Sequence, residues 1–141
     1  MAIVSSTSTV NVARQTLFAD LDLRLLVHPL RQDIIPLYDT EAVKNSVKNL
    51  VLTNFYERPF QPFLGSNIRA LLFDPINGFT ARTIRAEIAH VIERNEPRVD
   101  SVNVIVSEDA DGNAYNVSVY FNIAGVPDAG ATVDFQLRRL R

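Results

Sequence analysis

The sequence predicts an α+β fold, with helices packed on one face of a C-terminal three-stranded antiparallel meander, because its hydrophobic period changes along the chain. In the middle third, apolar residues recur at three- and four-residue intervals, as on a helix with one buried stripe. In the last third they alternate with polar residues, as in a strand with one buried face. The alternating stretches are joined by short connections, which favours a meander over crossovers. Separation of the two periods along the chain points to segregated helices and sheet.

Residues 1–16 are polar and Ser/Thr-rich, without period, as expected of an arm that is mobile or ordered by a partner. Leu21, Leu23, Leu25 and Val27 then alternate with Asp22, Arg24, Leu26 and His28, which predicts an N-terminal strand. Pro29 and Pro36 bracket a connection carrying Ile34, Ile35 and Leu37. Asp39 or Thr40 can cap a helix over 41–53, with Glu41 in its first turn and Val43, Val47, Leu50 and Val51 on its apolar face. Pro59 and Pro62 exclude regular helix from the loop Asn54 to Gly65, which is rich in aromatics: Phe55, Tyr56, Phe60 and Phe63.

Ser66 can cap a short helix through Ile68, Leu71 and Leu72 that Pro75 ends. Thr80 is placed to cap the clearest helix, with Ala81, Ile84, Ile88, Val91 and Ile92 on one face and Arg82, Arg85, Glu93 and Arg94 away from it. Pro97 restricts Glu96 to extended backbone, so this helix should stop near Asn95. Val102, Val104 and Val106 open the β region, with Ile105 breaking the alternation. After the turn signal Asp111-Gly112-Asn113 come Tyr115, Val117, Val119, Phe121 and Ile123, and after a connection over 125–130 come Val133, Phe135 and Leu137.

Composition narrows the function. A net charge of −2 supplies no overall basic field for nucleic acid or an anionic membrane surface. The absence of cysteine excludes disulfides, thiolate metal sites and a thiol nucleophile, and fits folding in a reducing cytoplasm. The first ten residues lack the basic and apolar regions of a signal peptide, and no apolar run is long enough to span a bilayer. His28 and His90 fit no zinc spacing, and there is no Gly-rich phosphate loop or Gly-x-Ser-x-Gly elbow, so neither metal nor cofactor is expected.

Several segments occur in an order that carries a resemblance. Val43 to Leu50 is followed by Glu57-Arg58-Pro59-Phe60-Gln61-Pro62, then Gly65, Leu71-Leu72-Phe73, Thr80 with the long helix, and Asn95-Glu96-Pro97-Arg98-Val99-Asp100 before a valine-rich strand. Over roughly residues 41–138 this order is similar to the baseplate wedge and sheath-initiator family of contractile phage tails, with relatives in type VI secretion baseplates. The resemblance implies a virion tail baseplate component assembled in the host cytoplasm, present in several copies around the tail axis. It implies docking on a core bundle of other wedge proteins through Glu96, Pro97 and Arg98, the family's hallmark. It further implies strand exchange with the tail sheath protein, with the tail tube as a neighbour. Residues 1–40 match no motif of the family and form an arm and extended segment; residues 41–141 form the wedge and sheath-initiator domain.

Each implied role has a plainer reading from the residues themselves. A strand edge over Val133, Phe135 and Leu137 could accept a foreign strand, or be covered by the N-terminal segment. Arg98 could fork onto a partner carboxylate with Glu96 orienting it, or the two could brace helix to sheet. The aromatic loop could anchor an interface, but the residues alone favour Phe60 and Phe63 as caps on the core. The tail Arg138-Arg139-Leu140-Arg141 is expected to be solvated.

Two other classes of function compete. Members of the family have been labelled lysozyme-like, and a glycoside hydrolase would need two facing carboxylates, one with a raised pKa; Glu93 and Glu96 are the candidates. Arg94 and Arg98 beside them favour ionised carboxylates instead. A generic adaptor using the sheet edge on an unrelated partner is the other alternative.

Overall fold

The computed structural model describes residues 16–22, 24–109, 111–126 and 130–139. The arm over residues 1–15, Leu23, and Leu140 and Arg141 of the basic tail lie outside the described residues.

The chain forms β1 (Ala19–Leu21), β2 (Pro36–Tyr38), α1 (Asp39–Leu52), α2 (Ile68–Leu71), α3 (Gly78–Asn95), β3 (Val99–Asp109), β4 (Ala114–Ile123) and β5 (Gly130–Arg138). The last three strands make an antiparallel meander in the order β3-β4-β5, as the alternation predicts. Its inner face carries Val104, Val117, Val119, Phe121 and Val133, with Tyr115 fully buried among them. Against that face pack α3, chiefly over β3, and α1, over β5. Val43, Val47 and Val51 of α1 and Ile84, Ile88 and Ile92 of α3 close the core.

The N-terminal strand is shorter than the alternation predicts. Among the described residues Ala19–Leu21 pairs antiparallel to Pro36–Tyr38, and the intervening chain turns back on itself at an isolated bridge between Val27 and Ile34. Alternation makes a strand only where one face finds a core, and here Leu21, Leu25 and Val27 are each about half exposed.

Both predicted long-helix caps are displaced. Asn77 caps α3: its carboxamide oxygen accepts from the Thr80 amide at 2.8 Å, so the helix starts at Gly78 instead of after Thr80. Thr80 is buried inside the first turn, its hydroxyl donating to the Pro75 carbonyl. Asp39 does not cap α1. Its backbone is left-handed (φ 45°), and its carboxylate accepts from the Leu17 and Phe18 amides, stapling the N-terminal segment to the start of the helix.

The loop after α1 closes tightly. The Ser66 hydroxyl donates to the Val51 carbonyl, and the Ser66 amide donates to the Thr53 carbonyl. Gly65 sits at φ 125°, where a Cβ would lie 2.5 Å from the Thr53 carbonyl oxygen. Gly65→Ala should therefore destabilise the domain by about 2 kcal/mol, the cost of a side chain in a region essentially restricted to glycine. Chemical denaturation checks this; a wild-type midpoint would mean the loop can re-route.

Candidate functional site

The Glu96-Pro97-Arg98 segment lies where α3 hands over to β3. Its placement follows from backbone bonds: the Glu96 amide still donates to the Ile92 carbonyl, while the Arg98 carbonyl already accepts from Ala124 beside the sheet. Pro97 blocks continuation of the helix between them. Glu96 is buried, and Arg98 forks onto it, Nε to Oε1 at 2.7 Å and Nη2 to Oε2 at 2.8 Å. The Ser46 hydroxyl of α1 donates to the same Oε2. The guanidinium also lies 5.8 Å from the Phe18 ring centroid, within cation–π range. One ion pair thus joins α1, α3, β3 and the N-terminal segment.

Both readings of this pair find support in the geometry. It is an internal brace, since Glu96 has no exposed carboxylate to offer. Yet a quarter of the Arg98 side chain remains accessible, its Nη1 makes no hydrogen bond among the described residues, and Pro97 is exposed. Burial alone would raise the Glu96 pKa, but the hydrogen bonds from Arg98 and Ser46 outweigh it and hold the carboxyl below the ordinary carboxylate range. A glycosidase general acid needs the opposite shift. Glu93 is exposed on the preceding helical turn.

Ser46 and Phe18 escape the sequence reading. Ser46 leaves a faint signal: it falls three residues after Val43 and four before Leu50, so a polar side chain interrupts the apolar stripe. Phe18 leaves none, because it reaches Arg98 only through the Asp39 staple.

Beside this corner a cleft of about 350 Å³ opens between α1 and the loop over 54–65, lined by Asn45, Asn49 and Leu50 of α1 with Asn95, Arg58 and Leu64. The loop's aromatics do not cap the core. Phe60 is fully exposed, Tyr56 and Phe63 are mostly so, and the last two meet edge to face at 6.3 Å. The reason is the closure by Ser66 and by the Tyr56 amide donating to Pro62, which turns the rings outward, with Tyr56 and Phe60 in left-handed backbone.

The sheet has two outer strands, and neither pairs with a further strand among the described residues. Among the described N-terminal residues, β1 pairs with β2 and with neither outer strand. The Arg139 amide donates to the Asn113 carbonyl, and the register runs without a break into β5. Antiparallel alternation then fixes which residues bond inward. Val133, Phe135 and Leu137 bond to β4, and their side chains face the core. Thr132, Asp134, Gln136 and Arg138 direct their N–H and C=O groups outward. By the same count Val102, Val104, Val106 and Glu108 are the outward-bonding residues of β3, which begins in a bulge between Val99 and Ser101.

Among the described residues no three His, Cys, Asp or Glu side chains gather as a metal site, and no helix is long and apolar enough to cross a membrane. His28 accepts in a local turn, from the amides of Leu30 and Arg31, and His90 is exposed.

Residues 38–129 match the family model described as baseplate wedge protein gp25. The baseplate wedge protein gp25 of Enterobacteria phage T4 is 26% identical over 121 residues, spanning 86% of this chain and 91% of that protein. In the baseplate of the anti-feeding prophage, one chain superposes with a TM-score of 0.68 at 21% identity, covering 79% of this chain and 89% of its own. A proposed tail lysozyme of Geobacter sulfurreducens superposes with a TM-score of 0.64 at 19% identity, covering 70% and 89%. At these identities the two superpositions speak for the fold.

Proposed function

The chain belongs to the baseplate wedge protein gp25 family, a structural part of contractile tails, and from that premise we propose how it works there. It docks on a core bundle of other wedge proteins through the corner at Glu96, Pro97 and Arg98. It then templates the first sheath ring by lending a sheet edge to the sheath protein. The 41–141 domain does both, and the segment at Phe18 reinforces the corner. No bond is made or broken, so neither cofactor nor catalytic residue is needed.

The outer strands of a helix-backed sheet, unpaired on their outer sides among the described residues, carry this reading. An unpaired edge offers backbone affinity to any strand of suitable register, and natural proteins normally blunt or cover it. On β5 the outward groups belong to residues with polar side chains, so an added strand would extend the ladder without exposing the core. Strand exchange through Val133, Phe135 and Leu137 therefore takes a specific form. Those side chains define the apolar face that the new strand continues, and their alternates make the hydrogen bonds.

A hydrolase reading finds no comparable support. Its structural likeness rests on fold, and Glu96 is held ionised by Arg98 and Ser46. Electron microscopy of particles lacking this chain tests the proposal. Tubes without sheath on incomplete baseplates are expected; full-length sheath on intact baseplates would overturn it.

A further inference from the structure

We propose that Asn77 and Gly78 form a self-modifying site: the Gly78 amide nitrogen closes onto the Asn77 side chain, expels ammonia, and leaves aspartate or isoaspartate at the cap of α3.

The sequence provides the reactive pair. Of the chain's asparagines only Asn77 precedes glycine, and both residues are exposed. Glycine has no Cβ to shield its amide nitrogen from the preceding carboxamide. The Gly78 nitrogen attacks Cγ of Asn77. The Cγ–Nδ2 bond then breaks, and ammonia leaves carrying the proton that the nitrogen gave up. Water opens the resulting five-membered imide at either carbonyl. One opening gives aspartate; the other gives isoaspartate, with the main chain routed through Cγ. Water is the sole co-reactant.

The fold leaves the nucleophile free. The Gly78 amide is among the first four donors of α3, which a helix cannot satisfy internally, and it bonds to nothing among the described residues. Asp111-Gly112 offers a contrast, because there the glycine amide is engaged, donating to the Asp109 carboxylate at 2.9 Å.

The cap then activates the electrophile. As the nitrogen adds, negative charge develops on Oδ1 of Asn77. That oxygen already accepts from the Thr80 amide at 2.8 Å. The Thr80 hydroxyl lies 3.1 Å from it and can turn to it from the Pro75 carbonyl. Donors placed in advance around a developing oxyanion are the device of acyl-transfer sites. The positive end of the α3 dipole acts in the same direction.

The two products differ in consequence. Aspartate keeps a capping oxygen and adds a negative charge where the helix favours one. Isoaspartate lengthens the main chain by a carbon and removes the cap, so the first turn loosens around buried Thr80 and Ala81.

The test incubates the folded full chain at mildly alkaline pH and follows every asparagine by peptide mass spectrometry, with isoaspartate scored separately. Asn77 should convert ahead of all the others. Gly78→Ala should slow that conversion at least about tenfold, by shielding the nitrogen. The fold should tolerate it, since the added methyl would meet only Glu108 Oε1, at 3.5 Å. Asn77→Asp should melt with wild type, and the isoaspartate-bearing fraction of aged protein below it. A second measurement needs no variant: Asn77 intact in the native chain while it converts in urea would overturn the proposal. Equal rates in wild type and Gly78→Ala, with unchanged melting, would overturn it as well.

Discussion

Arg98→Ala should cost this domain about 3 kcal/mol of stability, and Glu96→Ala somewhat less, because each change leaves its partner's charge behind in a largely buried site. Glu96 is only 4% exposed, and its carboxylate depends on Arg98 and Ser46 for all its side-chain bonds. Removing the guanidinium strands a buried anion; removing the carboxylate strands a cation with a quarter of its surface in water. Replacing both together, Glu96→Leu with Arg98→Met, should recover most of the loss, since packed apolar groups need no charge partner. Denaturant melts of the four proteins form a cycle; strict additivity would show the pair uncoupled and the brace imaginary.

The same pair sets a pH signature. Glu96 has a folded-state pKa below its unfolded value, despite the opposing effect of burial. Its contribution is therefore complete above the ordinary carboxylate range and is lost as pH falls through the depressed folded-state value. The stability gap between wild type and Glu96→Gln should narrow across that acid window and stay constant at neutral pH. Docking experiments on Arg98 variants need affinity expressed per folded molecule, because the side chain that braces the corner is also the proposed docking group.

The sheet was legible in the sequence because each of its strands has one face on a core. Tyr115, Val117, Val119, Phe121 and Ile123 are all buried, as their alternation implies. The same pattern misleads around Leu21 to Val27, where Leu21, Leu25 and Val27 stay about half exposed. Helix extents were legible to within two or three residues, but capping groups were not. Asn77 takes the cap position because its carboxamide reaches the Thr80 amide at 2.8 Å while Thr80 itself is buried in the first turn, which propensity alone does not reveal. The aromatic loop escaped for a related reason. The loop that carries Phe60 is closed by Ser66 reaching back to Val51 fifteen residues earlier, a contact with no local signature. Glu96-Pro97-Arg98 was singled out by resemblance, yet its helix-side anchor, Ser46, is visible only once α1 and α3 are packed.

The sharpest expectation concerns a proline one residue away from the obvious place. Phe135 invites substitution as the central apolar residue of the candidate edge strand, but its amide bonds inward to β4 opposite Val117. Phe135→Pro would break the internal ladder and remove a core-facing ring, so lost sheath would report only an unfolded domain. Asp134→Pro differs in kind. The Asp134 amide points outward, its side chain is exposed, and proline is tolerated on an edge strand whose N–H faces solvent. Asp134→Pro should melt within about 1 kcal/mol of wild type, as surface changes generally do. Yet it removes a bond that an added strand requires and places a ring in its path. Baseplates carrying it should assemble with tubes that stay bare. Sheath of normal length on those particles would exclude β5 as the templating edge. Val106→Pro on β3 would then be the matching experiment, since its amide also points outward and its side chain is only half buried. If both variants initiate sheath normally, this sheet contributes no hydrogen bonds to the first ring, and templating must act through side-chain surfaces alone.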